Sequence, residues 1–153
     1  VDDVVSTLDS LNYLTREKDI RETFRRVFRA LKPGGSFFFD VNTPYKLRRM
    51  DGQLYTDETE ESYCVWRTFF SEKTSICTYQ VDLFQLRTDG TWDRDYEEHR
   101  ERAWSAAELT AFLTDAGFEN IHVFGGDEGE SEGPGGQRCY FAATRADRKD
   151  ETI

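Results

Sequence analysis

The segment Tyr96-Glu97-Glu98-His99-Arg100-Glu101-Arg102 carries the residue types that acid–base chemistry needs. His99 is one of only two histidines in the chain and stands between carboxylates. Neighbouring negative charge favours the protonated imidazole and suits His99 to act as a general base toward an amine. If the segment is a strand, alternation places His99 with Glu97 and Glu101 on one face, and Tyr96, Glu98, Arg100 and Arg102 on the other. Arg100 or Arg102 then offers a fork for a carboxylate or phosphate. The plainer reading of the same charges is a solvated sheet face.

A second constellation is Asp9-Ser10-Leu11-Asn12-Tyr13-Leu14, directly after the β-rich run Asp3 to Leu8. Ligands of open α/β sheets bind at the carboxyl ends of parallel strands, where Asp9, Ser10 and Asn12 would stand. The competing reading is an Asx-type turn that starts a helix. Asn12 is the expected hydrogen-bond donor and Tyr13 an aromatic wall. Asp40, Asn42 and Tyr45 follow the next strand in the same way. Tyr63, Trp66, Tyr79 and Trp92 form either a cage for a cationic ligand or the core of their own sheet.

These residues need elements to hold them. Ile20, Phe24, Val27, Phe28 and Leu31 repeat at helical spacing, with Glu17 and Asp19 in the first turn and Pro33-Gly34-Gly35 as the stop. Ser36 to Val41 follows as a buried strand, completing a βαβ unit with parallel strands. Tyr63 to Phe70, Ser75 to Leu86 and Trp92 to Trp104 read as three antiparallel strands, with Asp89-Gly90 as a hairpin turn. The apolar phase of the second shifts at Phe84 and Leu86, which predicts a bulge. Ser105-Ala106-Ala107-Glu108 is a capping box before Leu109, Phe112, Leu113 and Ala116, and Gly117 ends that helix. Ile121 to Phe124 and Cys139 to Thr144 are further strands. The stretch Gly125 to Gly136, rich in Gly and acid, is expected to be a mobile loop. The organisation is thus an α/β core over 1–45 and 105–145, an inserted antiparallel lid over 46–104, and a polar tail over 146–153.

Composition removes several alternatives. Twenty Lys and Arg against 30 Asp and Glu give a net charge of −10. Such a chain is not drawn to nucleic acid phosphates or anionic membranes. No apolar run approaches the roughly 20 residues of a spanning helix. Cys64, Cys77 and Cys139 share no metal-type spacing and read as buried free thiols of a reducing cytoplasm. With two histidines, of which His122 reads as packed or edge, no metal site is expected. The acidic run Asp57 to Glu61 is expected to be a solvated loop.

The order Asp9-Ser10-Leu11-Asn12-Tyr13-Leu14, helix, Leu31-Lys32-Pro33-Gly34-Gly35, Phe37-Phe38-Phe39-Asp40-Val41-Asn42 and finally Asp115-Ala116-Gly117-Phe118 resembles the second half of a class I S-adenosylmethionine-dependent methyltransferase. The middle sheet resembles the lid of small-molecule N-methyltransferases. The resemblance implies a partial Rossmann-like sheet with a final antiparallel strand. It implies S-adenosylmethionine as cofactor, contacted by Leu8, Asp9, Ser10 and Asn12. It implies methyl transfer to a small molecule, most naturally an amine nitrogen, with His99 and Tyr13 as catalytic candidates. Tyr45, Trp66, Tyr96, Arg100 and Arg102 become the substrate-binding candidates. The alternative is a non-catalytic binding or dimerisation module of the same topology.

The family's Gly-rich turn and ribose-binding carboxylate have no counterpart here. The chain opens on Val1-Asp2-Asp3-Val4-Val5, without Met and inside a strand. It is therefore expected to be a fragment that binds S-adenosylmethionine poorly. Its exposed first strand is expected to pair with a second copy in a homodimer.

Overall fold

The computed structural model describes residues 1–125 and 136–146. The elements, in chain order, begin with β1 (Asp3–Ser6), a 3-10 turn (Ser10–Tyr13), α1 (Glu17–Ala30), β2 (Ser36–Asn42) and α2 (Pro44–Arg49). Then come β3 (Leu54–Glu58), β4 (Ser62–Ser71), β5 (Ile76–Leu86) and β6 (Trp92–Arg102). The chain closes with α3 (Ala106–Ala116), β7 (Phe118–Gly125) and β8 (Arg138–Arg145). The core sheet runs β1-β2-β8-β7, with β1 and β2 parallel and the remaining pairs antiparallel. The lid sheet runs β3-β4-β5-β6 and is antiparallel throughout.

One face of the core sheet is packed with aromatic rings. Phe37, Phe39 and Val41 of β2 lie in register with Ala143, Phe141 and Cys139 of β8, and all are buried. Phe39 and Phe141 stack at 4.6 Å. Ile20 and Phe24 of α1 and Leu109, Phe112 and Leu113 of α3 close over them. Each such side chain stabilises the fold by roughly 1.5–3 kcal/mol on burial. Gly35 allows the entry into β2. A Cβ there would lie 2.6 Å from the Asp2 carbonyl oxygen, a backbone atom that cannot step aside.

The capping box at Ser105 forms as the sequence reads: Ser105 Oγ accepts from the Glu108 amide and Ser105 N donates to Glu108 Oε2. Gly117 takes φ 98°, the left-handed cap that a β-carbon would resist. Trp104 is buried edge-on against Phe112 and donates Nε1 to the Leu14 carbonyl at 3.1 Å.

The structure also corrects the sequence reading. β5 pairs without interruption with both β4 and β6, so the bulge expected at Phe84 is absent. Phe84 packs beside Tyr63 on the opposite face instead. The irregularity lies in β7, where the register shifts between Glu119 and His122. Two elements were not expected. Thr43 caps α2, with Pro44 at its first position, and β3 forms from residues of which Asp57 and Glu58 belong to the acidic run. The stretches expected to be a mobile loop and a polar tail lie almost wholly outside the described residues.

Candidate functional site

β1 ends two residues earlier than the sequence suggests, because Leu8 (φ 59°) and Asp9 (φ 52°) both take left-handed backbone. Two consecutive non-glycine residues in that region are costly and are held only where surroundings enforce them. Here the enforcement is a set of bonds around Asp9. Its carboxylate accepts from Arg138 Nη2 at 3.1 Å, and its amide lies 3.4 Å from Asp40 Oδ2. Arg138 also pairs with Asp40 through Nη1. The outcome is a kinked strand end that leaves Leu8 76% exposed and carries the chain into the 3-10 turn. Ser10 Oγ donates back to the Thr7 carbonyl at 2.7 Å.

Asn12 is 0% exposed and sits at the meeting point of the turn, β2 and β6. Its Nδ2 donates to the carbonyls of Asn42 and Arg102, each at 3.0 Å, and its Oδ1 accepts from the Asn42 amide at 2.9 Å. Both amide hydrogens are therefore engaged within the chain. Asn12, expected to donate to a cofactor, here ties the turn to the ends of β2 and β6. Asn42 in turn donates Nδ2 to Glu101 Oε2 at 2.9 Å and accepts from Lys46 Nζ at 2.9 Å.

Glu101 was not singled out by sequence as more than a neighbour of His99, yet it is only 3% exposed. Burial pushes its carboxyl above the ordinary range, against the hydrogen bond from Asn42 that pulls it down. The Tyr79 hydroxyl is pushed up by burial and then by the Glu101 charge. Strand alternation with His99 was the available signal. What it lacked was the bond that Asn42 at the end of β2 makes to Glu101.

The lid face that looks toward the turn is built from register rows. Trp66, Val81 and Glu97 form one, Cys64, Leu83 and Asp95 another, and Thr68, Tyr79 and His99 a third. Tyr13 faces this sheet from the turn and meets the His99 ring edge-on, with centroids 6.1 Å apart. Between them lies a cavity of about 600 Å³ lined by Tyr13, Trp66, Tyr79, Tyr96, His99 and their neighbours, including Asp95 and Glu97. His99 Nε2 is 3.0 Å from Glu97 Oε2. The phenol of Tyr13 is pushed up by burial, then by Glu101 and Asp9, so it stays protonated. Tyr13 thus offers a ring wall and an O–H donor rather than a base. Tyr96 lies on the opposite face by register but borders the cavity because β6 is the sheet's edge strand.

The structure brings Tyr13, Trp66, Tyr96 and His99 together and sends the other candidates elsewhere. Arg100 is turned to the far face, where Nε and Nη2 donate to Glu98 Oε1 at 3.0 and 2.7 Å. Arg102 lies 4.0 Å over the Trp104 ring and donates to the Thr15 carbonyl. Neither arginine, each expected as a substrate contact, is among the residues that line this cavity. Tyr45 lies on α2 and borders a separate, smaller cavity. Trp92 is half-exposed at the start of β6 and lines none of the main cavity. Among the described residues no group of three or more His, Cys, Asp or Glu has metal-holding geometry. No described helix is long and apolar enough to cross a membrane.

Comparison with known proteins places this geometry. The chain is 31% identical over 148 residues to "Putative methyltransferase YqeM" of Bacillus subtilis (strain 168), covering 95% of this chain and 59% of that protein. It is 28% identical over 138 residues to a protein of the same description from Geobacillus sp. (strain WCH70), covering 90% and 56%. Among solved structures, an S-adenosylmethionine-dependent methyltransferase from Clostridium acetobutylicum ATCC 824 matches at TM-score 0.80 and 24% identity, over 95% of this chain and 58% of that one. CalS10, an amino pentose methyltransferase from Micromonospora echinaspora solved with S-adenosylmethionine bound, matches at TM-score 0.71 and 19% identity, over 95% and 58%. No family model matches the chain.

The fold is that of the S-adenosylmethionine-dependent methyltransferases, as the resemblance in the sequence implied. The chain is similar to methyltransferases along nine-tenths or more of its length and spans 56–59% of the length of these curated relatives.

Proposed function

We propose that this chain takes part in S-adenosylmethionine-dependent methyl transfer to a small molecule whose acceptor is an amine nitrogen. The observation that carries the reading is the cavity of about 600 Å³ between Tyr13 and the lid. Four aromatic residues and the acids Asp95 and Glu97 line it, and no Lys or Arg does among the described residues. Ring faces and carboxylates attract an ammonium ion and disfavour an anion. The likeness to an amino pentose methyltransferase points the same way.

Leu8, Asp9 and Ser10 would hold the cofactor's methionine end. The kinked, left-handed strand end presents an exposed apolar side chain and backbone groups at the carboxyl end of a parallel strand. S-adenosylmethionine supplies an electrophilic methyl on sulfonium. The protein's own work is threefold. Asp95 and Glu97 draw the amine in as its ammonium form. His99, oriented by Glu97, takes the proton that must leave before nitrogen can attack. Tyr13, Trp66 and Tyr96 fix the acceptor and exclude water, so that alignment supplies much of the acceleration. The lid residues 46–104 govern acceptor choice, and the strand ends over 1–45 govern cofactor contact.

The test is transfer of a labelled methyl group from S-adenosylmethionine to a panel of small amines by the full-length enzyme. Methylation of alcohols or carboxylates with amines left untouched would overturn the reading. We further propose that the 153-residue chain pairs with a second copy along β1, whose outer edge has no strand beside it among the described residues and whose Val5 is exposed. A monomer by light scattering at high concentration would remove that proposal.

A further inference from the structure

Beside the aromatic cavity is a second one of opposite character. It measures about 320 Å³ and is lined by Lys46, Arg49, Tyr45, Tyr55, Gln53 and Gln137, with Met50 on its wall. We propose that it is an anion subsite that receives a phosphoryl or carboxyl group of the methyl acceptor, which is then a molecule with a cationic and an anionic end. This assignment rests on the acceptor reading above and names the substrate class of the same site.

Three observations carry it. First, the described lining brings together two cations, Lys46 and Arg49, with two phenols and two carboxamides that can each donate, in a chain whose net charge is −10. Second, its position is built. Thr43 Oγ1 caps α2 by accepting from the Lys46 amide at 3.2 Å, and Lys46 Nζ is steered to Asn42 Oδ1 at 2.9 Å. Arg49 lies over the Tyr45 ring at 5.3 Å and donates to its hydroxyl at 2.5 Å. Third, the two cavities adjoin. Tyr55 on β3 is the register partner of Trp66 on β4, and the Tyr79 hydroxyl is 3.4 Å from Met50 Sδ. Tyr79 and Trp66 line the aromatic cavity, while Met50 and Tyr55 line the basic one. The sequence offers Arg100 or Arg102 for such an anion; this lining offers Lys46 and Arg49.

The test is an NMR titration of the 153-residue chain with inorganic phosphate and, separately, acetate at low ionic strength. Saturable amide shifts at Lys46, Arg49, Tyr55 and Gln137 are expected. The double variant Lys46→Gln/Arg49→Gln should weaken the tighter-binding anion by about tenfold or more, as loss of charge-assisted hydrogen bonds requires. Arg100→Gln should leave it unchanged. Tighter binding of phosphate assigns a phosphoryl group, and tighter binding of acetate a carboxyl group. Should the double variant lose its dispersed spectrum, Lys46→Gln alone serves the same comparison. No saturable shift with either anion, or equal affinity in wild type and variant, overturns the subsite. Tetramethylammonium in the same samples reports on the aromatic cavity through Trp66 and His99. Loss of that response alone would fell the acceptor reading and leave the anion subsite standing.

Discussion

Asn12 and Asn42 clasp each other across the strand ends: the side chain of Asn12 accepts from the Asn42 amide at 2.9 Å and donates to the Asn42 carbonyl at 3.0 Å. A third bond from Asn12 reaches the Arg102 carbonyl of the lid. One carboxamide therefore joins the turn after β1, the end of β2 and the end of β6. Asn12→Ala leaves three buried backbone groups without that partner and should destabilise the chain by roughly 2–4 kcal/mol. Denaturant unfolding of wild type and variant measures it, and a loss of a few tenths would show that the clasp is dispensable.

The buried Glu101 makes stability depend on pH. Its folded-state pKa is raised, first by burial, so the native state keeps a proton that the unfolded state has released. The associated stability is fully present below the ordinary glutamate pKa and is lost as pH rises through the raised value. Glu101→Gln lacks this slope. As pH rises from the ordinary glutamate value, the difference in unfolding free energy should move in the variant's favour and level off above the raised value. A difference that stays flat would mean Glu101 is not held as described.

The three thiols should react unequally. Burial pushes Cys77 and Cys139 up to about 11, and both are shielded, whereas Cys64 is half-buried at the cavity wall. Iodoacetamide in the native state should label Cys64 first, with Cys77 and Cys139 labelled only on unfolding. Mass spectrometry of the peptides reads the order, and early labelling of Cys77 would contradict the packing beneath α2.

On the proposed function, His99→Ala should lower methyl transfer by roughly 100-fold, the scale of a positioned general base, while cofactor affinity stays within a few-fold. Arg100→Ala should leave both near wild type, since Arg100 faces away from the cavity. Equal losses in the two variants would place the chemistry elsewhere.

Much of this arrangement was legible in the residues. Leu31-Lys32-Pro33-Gly34-Gly35 marks the passage from α1 to β2, and Ser105 with Glu108 marks the start of α3, because each signal is local and chemically specific. The lid strands follow from alternation, which also put His99 and Glu97 on one face. Alternation does not say which face borders a cavity, nor that Arg100 pairs with Glu98. It also does not reveal that an edge strand lets Tyr96 reach around. α2 is six residues long, and its signal, Thr43 before Pro44, is easily lost in a turn-rich stretch. β3 is exposed at every position and has no periodicity to read. Glu101 and Asn12 acquire their roles from partners up to 90 residues away, information that no local pattern contains.

The cavity between Tyr13 and the lid is the proposed site for a cationic acceptor. Tetramethylammonium and its neutral isostere tert-butanol should therefore be titrated into the chain, following the His99 ring resonances, with Trp66→Ala as control. The ammonium ion should bind more tightly by about tenfold, consistent with roughly 1–2 kcal/mol for a cation over partly desolvated rings. That preference should weaken with salt and vanish in Trp66→Ala. Equal binding of the two probes, or a preference that survives the loss of Trp66, would contradict the assignment.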